Sequence, residues 1–274
     1  MKSHQLLILL AGYLALSPCV TAQDATEPPG VMISPGSAAG REPRVDYEAE
    51  RTRATEALNE LEAKYQGLES YHIQARKVGT VQRTRVEEAT SVWKEHEPEQ
   101  GARWRMELEI VRQIEERPPI TTKTVNVSGH EESWTYTKTG EQARAVRSLP
   151  NQWNSHFDVL RRGLSAQINQ VSMDEPEEVH GHLCSVFRIT RGPDMRRTIQ
   201  RYWICQETGL LMKETQEREG RTDESTYEVE KIEVNTPIDA SVWEYEPPAD
   251  VEVMDLRERQ QAVPRPAPPT LPGL

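Results

Sequence analysis

The sequence predicts an α+β fold in which an antiparallel sheet with one wet face is covered by amphipathic helices. Three observations predict it. Apolar and charged residues alternate in segment after segment from Ser70 onward. Two other segments, residues 46–66 and 151–168, change to the three-and-four spacing of a helix with one apolar stripe. Turn residues such as Gly129, Gly192 and Gly220 separate the alternating segments at hairpin distances.

The chain begins with a targeting pattern. Lys2 precedes an apolar run from Leu6 to Leu16, and Val20-Thr21-Ala22 supplies the small residues of a cleavage site. The run is too short to span a bilayer. Residues 1–22 therefore read as a signal peptide cleaved after Ala22, which makes the mature protein exported and periplasmic. Cys19 offers an alternative, lipid attachment. Pro18 directly before it opposes that, because lipoprotein signals want a small residue there. Residues 23–44 carry Pro28-Pro29-Gly30 and Ser34-Pro35-Gly36 with no period, as a disordered linker does. The folded domain is expected over residues 45–256. Residues 257–274, with Pro264, Pro266, Pro268, Pro269 and Pro272, read as an extended tail.

In the first helical segment Tyr47, Ala54, Leu58, Leu61 and Tyr65 share a face, Asp46 is placed to cap it, and Gly67 to end it. In the second, Trp153, Phe157, Leu160, Leu164 and Ile168 do the same. Between them, residues 72–78, 86–93 and 103–114 are strands, and residues 121–127 and 133–137 form a hairpin about Gly129. Residues 103–114 alternate most clearly, with Trp104, Met106, Leu108 and Ile110 on one face. Strands resume at 179–190 and 198–205, followed by a hairpin over 211–219 and 222–235. Opposing Cys184 to Cys205 sets Val186 against Trp203, Phe187 against Tyr202 and Arg188 against Arg201. The arginine pair requires flanking acids.

Composition excludes several functions. The 274-residue chain has a net charge of -11, which repels phosphate backbones, so no nucleic-acid partner is expected. There is no Gly-x-Ser-x-Gly elbow and no His-Glu-x-x-His helix. The doublets Glu87-Glu88, Glu115-Glu116 and Glu177-Glu178 point to opposite faces of a strand and make no acid/base pair. No enzymatic activity, catalytic residue, cofactor or bound metal is expected. Cys184 and Cys205 admit two readings. With His180 and His182 they would make a two-nitrogen, two-sulfur metal set. In an oxidising compartment they would form a disulfide, and the compartment favours the bridge. Gly181 also suggests a turn that takes His180 off the strand.

Three stretches carry a family resemblance. Residues 238–251, with Val242-Trp243-Glu244-Tyr245-Glu246-Pro247-Pro248, form a closing pattern of an aromatic pair, Pro-Pro and a valine strand. Tyr202-Trp203-Ile204 leads to the turn Thr208-Gly209-Leu210. Trp93-Lys94, Pro98, Arg103-Trp104-Arg105-Met106, Gly129 and Trp134-Thr135-Tyr136 follow in order. From about Tyr47 to Asp255 the chain resembles the bacterial periplasmic lipoprotein carriers, the LolA/LolB-like superfamily, as a divergent member. The resemblance implies an incomplete β-barrel: a strongly curved antiparallel sheet with two or three helices covering its concave face. It also implies a cavity for a lipid or lipoprotein acyl chain, with membrane-protein donors or acceptors as further partners. The supply of six tryptophans against two phenylalanines fits a ring-lined cavity. Trp93, Trp104, Met106, Leu108, Trp134, Trp203 and Trp243 are its expected lining, with all five tryptophans on strands. The protein is expected to be a monomer. Relatives that regulate envelope-stress signalling supply a second implied role, as an interaction module. One departure stands out: Glu97 precedes Pro98, where the dedicated carriers have a basic latch.

Overall fold

A cap and a stripe define the first helix. The Asp46 carboxylate accepts from the backbone N–H of Glu48 at 3.1 Å and of Ala49 at 3.2 Å, and α1 runs from Tyr47 to Gln66. Ala54, Leu58, Leu61 and Tyr65 form its buried face, and Gly67 ends it. The structure, a computed structural model, describes residues 46–81, 83–97, 99–166, 169–192, 197–218 and 224–258. The expected signal peptide, the linker, Cys19, Pro98, Ile168 and the tail beyond 258 lie outside the described residues. No described helix is long and apolar enough to cross a membrane.

The strands are β1 (Ser70–Val81), β2 (Thr84–Glu97), β3 (Gly101–Ile114), β4 (Ile120–Ser128), β5 (Ser133–Thr139) and β6 (Gln142–Ser148). Helix α2 (His156–Ser165) follows, then β7 (Gln170–Val179), β8 (His182–Arg191), β9 (Thr198–Cys205), β10 (Leu211–Arg218), β11 (Glu224–Val234) and β12 (Val253–Asp255). They form one unclosed sheet in the order β12-β6-β5-β4-β3-β2-β1-β11-β10-β9-β8-β7. Pairing is antiparallel except where β12 runs parallel to β6. At one end the sheet coils: His180, at the β7–β8 turn, reaches Glu228 of β11 at 2.9 Å.

The β8–β9 register is the expected one, with Cys184 opposite Cys205, Val186 opposite Trp203, Phe187 opposite Tyr202 and Arg188 opposite Arg201. The arginine pair has its acids, since Arg201 meets Glu217 at 2.9 Å and Asp174 at 3.6 Å. Other boundaries differ. The expected strand at 179–190 is broken by a turn at His180 (φ 50) and Gly181 (φ 82), so β7 precedes it as a separate edge strand. Pro176, beside a bulge in β7, keeps that edge from pairing further. Helix α2 starts five residues later than its apolar spacing predicts. The Asn151 backbone is held as a loop instead: its N–H donates to Ser133 Oγ at 2.9 Å, and its carbonyl accepts from Trp104 Nε1 at 3.1 Å. A capping box between Ser155 and Asp158 then opens the helix.

Two apolar clusters flank the sheet. The larger joins α1 and α2 to Tyr71, Val92, Val171, Phe187, Ile189, Tyr202 and Ile204, and this helix-covered side is the inner face. The smaller includes Val179, Cys184, Val186, Trp203 and Cys205 on the opposite face of β7–β9. A third element is the strap after β11. Its 3-10 turn Ala240–Trp243 lies against β3, where Arg105 donates to the carbonyls of Val242 (2.9 Å) and Glu244 (3.3 Å). The strap then passes Trp134 and Tyr136 through Tyr245 before joining β6 as β12. Trp243 is thus in a 3-10 turn, not a strand. Arg257, where an unpacked tail was expected, hydrogen-bonds Asp255 and Glu132.

Helix α1 passes directly over the β9–β10 turn. Gly209 there has φ +70, and a Cβ on it would penetrate the Leu61 carbonyl oxygen. Gly209→Ala should therefore lose at least about 2 kcal/mol in urea unfolding. An unchanged midpoint would show that α1 does not sit on this turn.

Candidate functional site

Strand parity sorts the expected lining residues. Lys94 opposes Trp104, while Trp93 opposes Arg105. Trp104, Met106 and Leu108 therefore share the inner face, together with Ile110. Trp104 is 2% exposed and meets Trp153 at 5.2 Å between ring centroids, while Met106, Leu108 and Ile110 are half-buried. The other four tryptophans are elsewhere. Trp93 stacks on His72 at 4.6 Å on the outer face. Trp134 lies under Arg147 and beside Tyr245. Trp243 lies under Arg103. Trp203 is buried in the smaller cluster, where its Nε1 donates to Glu177 at 2.9 Å. The seven residues do not come together as one surface; three of them do.

The helices are held to the inner face through Tyr65. Its hydroxyl lies 3.1 Å from the Tyr71 hydroxyl and accepts from Trp153 Nε1 at 3.1 Å and Lys94 Nζ at 3.2 Å. The Lys94 ammonium also lies 4.5 Å from the Tyr65 ring centroid. His156, at the start of α2, donates from Nε2 to the Gly209 carbonyl at 2.8 Å and packs edge-on against Tyr65. Burial pushes its pKa down to about 4, and nearby Lys94 adds to this, against the Gly209 hydrogen bond and Asp158, which favour the proton.

Further along the strands the inner face becomes polar. One cross-strand row reads Met173, Phe187, Tyr202, Glu214, Tyr227, Lys77, Glu88, Ile110 and Thr122 from β7 to β4. Arg191 and Gln200 lie on the same face of β8 and β9, beside this row. Burial raises the Glu214 carboxyl; Lys77 and Arg191 oppose the rise and Glu88 adds to it. Burial likewise raises the hydroxyls of Tyr202 and Tyr227 well above their usual range. Lys77, Glu88, Arg191 and Glu214 make no ion pair with another described residue. Beyond β3, the inner face carries Thr124, Asn126, Thr135 and Thr137, while Val127 and Ala145 face the strap. The inner surface is therefore amphipathic rather than apolar throughout. The polar row was not foreseen; the signal that could have found it is the charge at Lys77, Glu88 and Glu214 on helix-facing positions, legible only once the registers are known.

No group of three metal-ligating side chains stands together among the described residues. His180 has left the Cys184 strand for the turn. Cys184 and Cys205 are buried free thiols in this structure rather than a bridge. Gln206 N–H bonds the Leu183 carbonyl at 2.9 Å, so the neighbouring cysteine pair occupies a non-hydrogen-bonded site, where Cα atoms approach to about 4.5 Å, the short limit for a disulfide. Burial, then the neighbouring Cys205, pushes the Cys184 thiol up to about 12. Glu97 is committed to Arg103 at 3.3 Å and His130 at 3.6 Å. It lines an open groove of about 550 Å³ with Glu69, Glu95 and Asn235, apart from the polar row.

No family model matches the chain, and no curated protein matches it in sequence. Solved structures do. The chain is similar to MucB at 13% identity and a TM-score of 0.44, covering 74% of this chain and 66% of that one. It is similar to LprF from Mycobacterium bovis at 13% identity and a TM-score of 0.38, covering 68% of this chain and 95% of that one. A putative outer membrane lipoprotein-sorting protein domain from Vibrio parahaemolyticus aligns at 8% identity and a TM-score of 0.29, over 72% of this chain and 97% of that one. The chain thus spans about two thirds of MucB. At such identities these likenesses carry nothing about ligand or partner.

Two outcomes are expected. Protein from an oxidising compartment should carry the Cys184–Cys205 bridge, and Cys184→Ser should cost it about 3 kcal/mol for a loop of this size; free thiols in that material would refute the pairing. The His156 ring is neutral in both states above its ordinary value of 6.5, and between there and about 4 only the unfolded chain takes up the proton, so stability falls as pH falls. His156→Gln should flatten that slope in urea titrations, and an unaltered slope would mean that His156 does not titrate in this window.

Proposed function

We propose that this protein is an exported, non-enzymatic binding protein that holds the acyl chain of a lipid or lipoprotein against the inner face of its half-barrel. The observation that carries this is the half-buried row Met106, Leu108 and Ile110, which continues the helix-covered core out along β3. Trp104 and Trp153 close one end of that row, and the polar row crosses its other end at Ile110. From Trp104 to Ile110 the strand extends about 20 Å, enough to lay a chain along it. Each methylene removed from water supplies about 0.8 kcal/mol, from which ordering of the chain must be subtracted. Such a protein needs no bond-breaking residue. Lipoprotein or lipid trafficking in the envelope is the role this binding would serve.

The test is displacement of a fluorescent fatty acid from the full mature chain, alongside native mass spectrometry of protein taken from the periplasm. Leu108→Glu should weaken binding about tenfold or more, because the new carboxylate must be desolvated beside the chain. Trp134→Leu, on the outer face, should leave binding unchanged. A protein that carries no lipid and ignores added fatty acid would defeat the proposal.

A further inference from the structure

The polar row sits at one end of the apolar strip, and its unmet bonding needs describe a ligand head. Glu214 lies between Tyr202 and Tyr227 in adjoining strands, without a cation of its own among the described residues. Gln200, 8% exposed, has a buried Oε1 with no donor, while its Nε2 donates to Gln216 at 3.1 Å. Arg191, on the neighbouring strand, has a buried Nε with no acceptor. Buried polar groups left unpaired are costly, and a cluster of them on an inner face is a place where a ligand supplies the missing partners. The missing partners are of two kinds: a donor for Glu214 and Gln200, and an acceptor for Arg191. Lys77 and Arg191 balance Glu88 and Glu214, so the row carries no net charge. A purely anionic head would satisfy the arginine and leave the carboxylates worse off, and a purely cationic head would do the reverse.

We infer that the row formed by Arg191, Gln200, Glu214, Lys77 and Glu88 binds a zwitterionic head, a primary ammonium joined to a phosphate, as in an ethanolamine phospholipid. The ammonium donates to the Glu214 carboxylate and Gln200 Oε1, between the two tyrosine rings. The phosphate accepts from Arg191, with Lys77 as the second cation. The acyl chain leaves along Ile110, Leu108 and Met106, so the inference rests on the acyl-binding reading and names the class of lipid.

The experiment compares three ligands with the same palmitoyl chain on the mature protein: lysophosphatidylethanolamine, lysophosphatidylglycerol and palmitic acid. The ethanolamine lipid should bind about tenfold tighter than the other two, as a charge-assisted hydrogen bond to a half-buried carboxylate warrants. Glu214→Gln should erase the preference for the ethanolamine lipid over the glycerol lipid without weakening palmitate binding. If Glu214→Gln does not fold, Arg191→Gln, which removes the phosphate partner, should weaken both lysolipids towards palmitate; unchanged affinities for both would overturn the head site. Equal binding of all three ligands overturns the head site while leaving acyl binding intact. Binding of none overturns acyl binding itself. Glycerophosphoethanolamine, the head without a chain, should bind weakly; if it matches the lysolipid, the ligand is a free phosphoethanolamine and the amphiphile is overturned.

Discussion

A β-strand turns successive side chains to opposite faces, and in this sheet twelve strands are locked into register with that two-residue period. Most of what distinguishes the molecule follows from that constraint. Once Lys94 opposes Trp104, Trp93 must point outward. Once Cys184 opposes Cys205, Trp203 must lie on the far side from Tyr202. Bulges between Gln74 and Ala75 and between Leu211 and Lys213 interrupt the period locally. A one-residue slip of β3 would carry Met106, Leu108 and Ile110 to the strap and bring Arg105 and Glu107 under the helices.

The two faces of the sheet are covered by different means. On β7–β10 and β1–β2 the helices cover the apolar part of the inner face, clamped where the Tyr65 hydroxyl meets Tyr71, Trp153 and Lys94, and the polar row lies beside it. On β4–β6 Val125, Val127 and Ala145 point outward, towards the side that the strap from Ala240 to Asp255 covers. The inner face of that half is mostly polar, with threonines, serines and Asn126. This exchange explains how a chain with only 36% apolar residues builds so wide a sheet. Outside β8 and β9, which bury both faces, most strands bury only one, and neither cover must span the whole sheet.

Much of this was legible beforehand. The α1 boundaries, the Asp46 cap, the β3 alternation and the β8–β9 register all rest on neighbours close in sequence or on pairing rules between adjacent strands. The arginine pair was resolved by acids on neighbouring strands, as its chemistry requires. Other features depend on contacts distant in sequence. The late start of α2 comes from Ser133 and Trp104 holding Asn151, and no local propensity records that. The splitting of residues 179–190 depended on two left-handed residues at His180 and Gly181, of which only the glycine announced itself.

The site divides in the same way. The sequence by itself determined that the chain has an apolar, alternating β3 with Trp104, Met106 and Leu108 on one face, because periodicity is a local property. It also determined that Cys184 and Cys205 can meet. Only the tertiary structure decided which of five strand-expected tryptophans share that face. It alone placed Lys77, Glu88, Glu214, Tyr202 and Tyr227 in one row. Those five residues come from five strands, and a row across strands exists only when every register between them is set.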